Sequence, residues 1–246
     1  MSAQQLFPSY FAMTPTPTSQ ISDQRLSRAE LQAALAAVLA AQGGGAEFLR
    51  CDFDGVELDR LDLRGVQFTQ CSFAEASLSR AQLSESRWTA CKARQANFGL
   101  AELTNARFQS CDLNNTDWTR ARLPGAAFVG VKLTGAQFSE VAALGLSFRD
   151  SLLIGADLRG LTFRKQRLQQ LDFSGADLSG GDFREAVFEG GSLRDAHLKQ
   201  ARFEGADLRE VDLGGLRLVD ARLFKGATIS HVQAAALVSE LGIHVA

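Results

Sequence analysis

The chain runs to 246 residues, 46% hydrophobic and 22% charged, which is enough apolar side chain for a sizeable core. A formal net charge of −2 excludes both a polycation that seeks phosphate and a strong polyanion. The sequence has no apolar run of the roughly 18 residues a membrane span requires, and no basic stretch followed by an apolar one that would mark a signal peptide.

Residues 1–25 read as a flexible segment. Thr14-Pro15-Thr16-Pro17-Thr18-Ser19 lies at its centre, a composition that buries little. Phe7, Tyr10 and Phe11 suit either docking against the folded part or a secretion signal, and the sequence leaves both open. A capping helix is expected over 26–45. Ser27-Arg28-Ala29-Glu30 has the form of a capping box, Leu26 and Leu31 form a hydrophobic staple, and Leu31, Leu35, Val38 and Leu39 share one face before Gly43-Gly44-Gly45 ends the helix.

From Ala46 to Lys225 the sequence repeats every five residues. Stepping by five from Phe48 gives 36 block centres: 18 Leu, 14 Phe, two Trp (Trp88, Trp118) and two Ala (Ala93, Ala143). The residue two before each centre is Ala in 16 blocks and mostly Cys, Val or Leu in the rest. Neither the 3.6 period of a helix nor the 2.0 period of a strand produces this pattern. Two inward residues in five, one large and one small, fit a chain that turns a corner every five residues. Four sides close a coil of 20 residues, and 36 blocks then make nine coils with no insertion in the frame. Coils stacked at the strand spacing of roughly 4.8 Å would make a rod roughly 43 Å long.

The blocks Ala156-Asp157-Leu158, Ala176-Asp177-Leu178, Ala206-Asp207-Leu208 and Ala96-Asn97-Phe98 resemble the signature of the pentapeptide-repeat family. The resemblance covers residues 46–225. It implies an all-β fold, a right-handed quadrilateral β-helix of about nine coils with short N- and C-terminal α-helical caps. The handedness comes from the family and not from the periodicity.

Reading every twentieth residue gives columns. Phe48, Phe68, Trp88, Phe108, Phe128, Phe148 and Phe188 form one of them, a stack of core rings. Cys51, Cys71, Cys91 and Cys111 form another. Ligands to a tetrahedral metal must converge on a point, which a linear ladder does not do, so the four are read as buried reduced thiols. Ala93 and Ala143 are undersized centres and predict thinning or a bend. Gln166 occupies an inward site and requires hydrogen-bond partners. It lies in the basic run Arg164-Lys165-Gln166-Arg167, which reads as an irregularity on a solvated face.

At the end of the chain, residues 226–246 begin a second cap. Ser230-His231-Val232-Gln233 is a capping box, and Ala234, Leu237, Val238 and Leu241 form an apolar stripe. The ending through Ile243 and Val245 resembles that of Qnr-type quinolone-resistance and mycobacterial gyrase-protecting proteins. That resemblance implies a tail-to-tail homodimer through Leu237, Val238, Leu241, Ile243 and Val245.

The sequence carries no phosphate-cradling Gly loop, no metal-binding His pair and no nucleophile elbow, and a convex rod offers no deep pocket. No cofactor, metal or catalytic residue is therefore expected, nor direct nucleic-acid or membrane binding. The gyrase-protecting relatives imply a DNA-mimicking partner of gyrase or topoisomerase IV in the cytoplasm. Its acidic surface would comprise Asp52, Asp54, Glu57, Asp59, Asp117, Asp157 and Asp177. The charge is uneven: residues 46–65 hold six acids and three Arg, whereas residues 86–145 hold four acids and seven bases. A protein-interaction scaffold, such as a secreted effector or a signalling adaptor, is the alternative.

Overall fold

The computed structural model describes residues 19–40, 45–214, 222–239 and 241–244. The five-residue period becomes a right-handed quadrilateral β-helix, with eight complete coils (46–205) and part of a ninth among the described residues. Each block places its centre and the residue two before it inside, and turns through a left-handed corner two residues after the centre. Most corners carry ordinary side chains, such as Arg60 (φ 58) and Leu100 (φ 60). This conformation costs about 1–2 kcal/mol for an L residue, and the backbone ladder running up every side offsets it.

On the side centred on Phe48, the strands β1 (Ser19–Ser22), β2 (Ala46–Leu49), β3 (Gln67–Thr69), β4 (Arg87–Thr89), β5 (Arg107–Gln109), β6 (Ala127–Val129) and β7 (Ser147–Arg149) form one parallel sheet in chain order. The register pairs Phe48 with Phe68, Phe68 with Trp88, Trp88 with Phe108, Phe108 with Phe128 and Phe128 with Phe148. Their rings stack face to face except at Phe68–Trp88, which is tilted by 37°; Phe108 and Phe128 centroids are 4.8 Å apart and nearly parallel. A second column, Phe98, Trp118 and Phe138, meets the first edge-on, as in the Phe108–Trp118 pair at 5.5 Å and 88°. Offset-parallel contacts within columns and edge-to-face contacts between them are the two arrangements the ring quadrupole favours.

Both Trp centres have a polar residue at the small inward position. The Trp88 indole N–H donates to Ser86 Oγ at 3.0 Å and the Trp118 indole N–H to Thr116 Oγ1 at 2.7 Å. Ser86 and Thr116 are fully buried. Placing the hydroxyl two residues before the ring satisfies a donor that the core would otherwise strand.

The two undersized centres behave differently. Ala93 is fully buried and its ladder bond to Asp112 O is intact at 2.8 Å, so the thinning expected there does not occur. Trp88, one block earlier, leans to within 4.7 Å of the Phe73 ring in the Ala93 column and brings the missing bulk. The ring one block before Ala143, Phe138, packs on Trp118, Phe128 and Phe148 and meets no ring of the Ala143 column; Ala143 is half-exposed together with Val141, and Leu144 is 83% exposed. Here the ladder breaks on two adjacent sides. Among the described residues no bridge joins Ala142 to Thr162, and β7 does not pair with β9 (Arg167–Gln169). Gln166 finds its partner in the gap: its side-chain amide donates to Leu146 O at 3.3 Å. In the regular coils that carbonyl position receives a backbone N–H, as when Arg107 N donates to Ser86 O. Beyond the break the ladder resumes with β8 (Ser151–Leu152) against β10 (Leu171–Asp172) and β9 against β11 (Val187–Glu189).

The ends depart from the sequence reading in three places. Ser19–Ser22, expected within the flexible segment 1–25, forms β1 and pairs with β2, so the first coil's edge is covered by strand as well as helix. The capping helix α1 (Arg28–Ala40) has its expected cap: Ser27 N donates to Glu30 Oε2 at 2.8 Å and Glu30 N to Ser27 Oγ at 3.4 Å. Leu26, Leu31 and Val38 are buried, but Leu39 is 80% exposed because it lies at the margin of the stripe set by Leu31, Leu35 and Val38. Finally, the unbroken frame to Lys225 fails in the last coil. Asp207 bridges Thr228, 21 residues on, and Phe224 rather than Leu223 stacks on Phe203 at 4.8 Å. One extra residue therefore enters between these points, and Phe224 takes the core place because its ring fills the space above Phe203 while Leu223 stays partly exposed.

Candidate protein-interaction surface

The core ring residues Phe48, Phe68, Trp88, Phe108, Phe128, Phe148 and Phe188 are all at most 4% exposed. They position the surface and do not form part of it. Cys51, Cys71, Cys91 and Cys111 are likewise buried and free. Among the described residues no group of three or more His, Cys, Asp or Glu could hold a metal ion, and no helix is long and apolar enough to cross a membrane. The surface hollows are shallow, such as the one beside α1 lined by Leu35, Val38, Asp62, Arg64 and Val66.

Of the acidic residues, Glu57, Asp117, Asp157 and Asp177 fall in one column, bridged rung by rung through Ser77, Asn97 and Gln137. Asp59 lies on the same side, two residues after Glu57, and Asp52 and Asp54 lie on the neighbouring one. The column is therefore a stripe along the rod interrupted by neutral side chains.

Most of these carboxylates also have structural work. An Asp just before a centre accepts from the amide just after it, as Asp52 Oδ1 does from Asp54 N (2.8 Å), Asp117 from Thr119 N (2.8 Å) and Asp177 from Ser179 N (3.0 Å). An Asp just after a centre reaches the next coil. Asp54 Oδ1 accepts from Ala74 N at 2.7 Å, and Asp59 Oδ1 from Ser79 N at 3.1 Å. The Ala-Asp-Leu pattern is thus a backbone clamp, since the short Asp side chain satisfies a local N–H that the turn leaves free.

A second feature escapes a reading based on acids alone. Where Arg stands two residues after such an Asp, its guanidinium forks onto the same carboxylate. The pairs are Asp62–Arg64, Asp157–Arg159, Asp182–Arg184 and Asp207–Arg209. The bidentate bonds from Arg159, reinforced by Ser139 Oγ at 2.7 Å, hold Asp157 down to about 2. The basic run is similarly neutralised: Arg164 and Lys165 pair with Glu185, and Arg167 with Glu189. By contrast no Lys or Arg among the described residues forms an ion pair with the carboxylates of Asp54, Glu57 or Asp59 at the first coil, although the Arg28 guanidinium lies beside them and donates to the backbone carbonyls of Glu57 (3.0 Å) and Asp59 (2.9 Å).

At the other end, α2 (His231–Ser239) opens with Ser230 N donating to Gln233 Oε1 at 2.6 Å. Gln233 Nε2 donates to Leu208 O (2.7 Å) and Val211 O (2.8 Å), tying the helix to the last coil edge. The helix buries no residue: Leu237 and Val238 are half-buried, Leu241 and Ile243 are 59% and 50% exposed, and Val232 is 79% exposed. Val245 lies outside the described residues. An apolar stripe thus remains uncovered within one chain.

The pentapeptide repeat region family matches residues 61–138, and the pentapeptide repeats (8 copies) family matches 132–170, 151–190 and 192–223. Among solved structures, a trypsin-treated form of QnrB1, a plasmid-mediated fluoroquinolone resistance protein, is 25% identical over 82% of this chain and 100% of its own, with a TM-score of 0.72. Full-length QnrB1, at 19% identity over 92% of this chain and 98% of its own, has a TM-score of 0.54 and bears on the fold alone. No curated protein matches the sequence at a significant level.

Proposed function

The chain belongs to the pentapeptide-repeat family, and from that premise we propose that it is a non-enzymatic binding rod that engages gyrase or topoisomerase IV and protects it against topoisomerase poisons. The observation that carries this reading is the alignment with a fluoroquinolone resistance protein over that protein's whole length at 25% identity. The unpaired carboxylates of Asp54, Glu57 and Asp59 at the first coil support it, since a DNA-binding surface is basic and attracts them at long range. Two copies associate tail to tail through Leu237, Val238, Leu241 and Ile243, which sets the acidic ends at the two tips of a longer rod. The reading puts the protein in the cytoplasm with its target.

The second reading, an interaction scaffold for another protein, draws on the Asp–Arg forks. They leave much of the rod electrically mixed rather than uniformly negative. A supercoiling assay separates the two. Purified protein is titrated into gyrase and topoisomerase IV with and without a quinolone. Restored supercoiling at substoichiometric drug effect, lost in a variant with Asp54→Lys, Glu57→Lys and Asp59→Lys, supports topoisomerase protection. Indifference of both enzymes across the titration overturns it. Light scattering of Leu241→Asp, monomeric where the parent is dimeric, tests the tail-to-tail contact.

A further inference from the structure

We propose that the cysteine ladder is a binding site for soft monovalent cations, Cu(I) or Ag(I), each held in line between the sulfurs of two successive coils. Cys51, Cys71, Cys91 and Cys111 occupy the small inward position on the same side of four consecutive coils, each at most 1% exposed. Their sulfurs repeat the same contacts. Cys71 Sγ lies 3.2 Å from Phe48 O and 3.5 Å from Thr69 O. Cys91 Sγ lies 3.3 Å from Phe68 O and 3.5 Å from Thr89 O. Cys111 Sγ lies 3.4 Å from Trp88 O and 3.3 Å from Gln109 O. Side chains that make the same contacts from rung to rung are related by the rung itself, roughly 4.8 Å.

That spacing suits one coordination geometry. A metal–thiolate bond is about 2.3 Å, so an ion midway between two sulfurs with its bonds in line spans about 4.6 Å. A tetrahedral ion requires four donors around a point, and among the described residues no group of three or more ligands converges. Linear two-coordination is the habit of monovalent ions with a filled d shell, and thiolate is the soft donor they select. One outer-shell bond would steady a thiolate, Cys51 N–H donating to Cys71 Sγ at 3.4 Å, while the carbonyls beside each sulfur favour the protonated thiol until a metal displaces the proton.

Four thiols in a row pair as Cys51 with Cys71 and Cys91 with Cys111, giving two ions per chain. Each ion forms two metal–sulfur bonds, displaces two S–H protons to solvent and keeps its +1 state, so a bound pair carries a single negative charge. Burial pushes the thiols of Cys51 and Cys91 up, so they hold their protons until the metal arrives, and affinity falls as pH drops. At the outer end of the ladder β1 covers Cys51, whose Sγ lies 3.5 Å from Ile21 O, so an ion enters only when β1 lifts from β2.

The test uses the full chain, reduced and kept anaerobic, with Ag(I), or with Cu(I) released from a chromophoric chelator. Native mass spectrometry counts the ions, far-UV circular dichroism follows the fold, and a weakly buffered titration counts protons. Two ions per chain, about four protons released, an unchanged β spectrum and a raised Tm are expected. Cys91→Ala should take up one ion, and the variant with all four cysteines replaced by Ala should take up none. That variant keeps the fold because Ala is already the residue at this position in 16 blocks. Equal uptake by the four-alanine variant, or uptake only as the β signal is lost, overturns the proposal.

Discussion

Replacing Thr116 by Val isolates one buried hydrogen bond in the middle of the rod. Thr116 is fully buried; its hydroxyl accepts the Trp118 indole N–H at 2.7 Å and donates to Leu113 O at 2.7 Å. Val keeps the shape and removes the oxygen. Leu113 O still receives the backbone N–H of residue 116, so the principal loss is the partner of the indole. A buried donor left unmet costs about 1–3 kcal/mol. Trp118→Phe removes the donor instead, together with ring area stacked 4.2 Å from Phe98, and costs about 1–3 kcal/mol through transfer and cavity terms. The double variant has neither donor nor acceptor. It should therefore be more stable than the sum of the single losses by about 1–2 kcal/mol, the usual coupling of residues in contact. Urea titrations read by far-UV circular dichroism give the four free energies, with tryptophan fluorescence (Trp88 alone in the two Trp118→Phe proteins) as a second probe. Additivity within about 0.5 kcal/mol, or a neutral Thr116→Val, refutes the reasoning.

Three further outcomes follow from other parts of the rod. Gly191→Ala should lower Tm sharply, because a Cβ there overlaps the Leu171 carbonyl and φ is +85, whereas Gly155→Ala, at a corner with open space around it, should cost only about 1–2 kcal/mol; comparable melts for the two would contradict this. Amide hydrogen exchange should be faster at residues 140–146 and 162–167 than at 120–126, because the ladder is interrupted between the first two stretches and intact at the third. Asp157→Asn should cost about 1 kcal/mol near neutral pH, discounted for the water around Arg159. Since the folded pKa of about 2 lies below the ordinary aspartate value of 3.8, that contribution is present above about pH 4 and fades as pH falls toward 2, so denaturation curves of parent and variant should converge in acid.

The coil itself was written in the amino acids. A five-residue period with a large and a small inward residue leaves few ways to bury both, and the columns of Phe, Trp and Cys follow by counting in twenties. The capping boxes at Ser27 and Ser230 were legible for the same reason: each is a local bond between residues three apart. What counting could not supply was compensation between coils. Ala93 and Ala143 are the same residue in the same role, yet Trp88 fills the first vacancy and no ring fills the second, so the ladder parts at one and not at the other. Gln166 has its meaning only at that gap. The charge of the surface was also decided in three dimensions. Asp157 precedes its centre and is forked by Arg159 two residues on, whereas Asp54 follows its centre, turns to Ser72 and Ala74 of the next coil and has no ion-pair partner there. Local period fixes where a side chain points; only the stacked coils determine what it meets there.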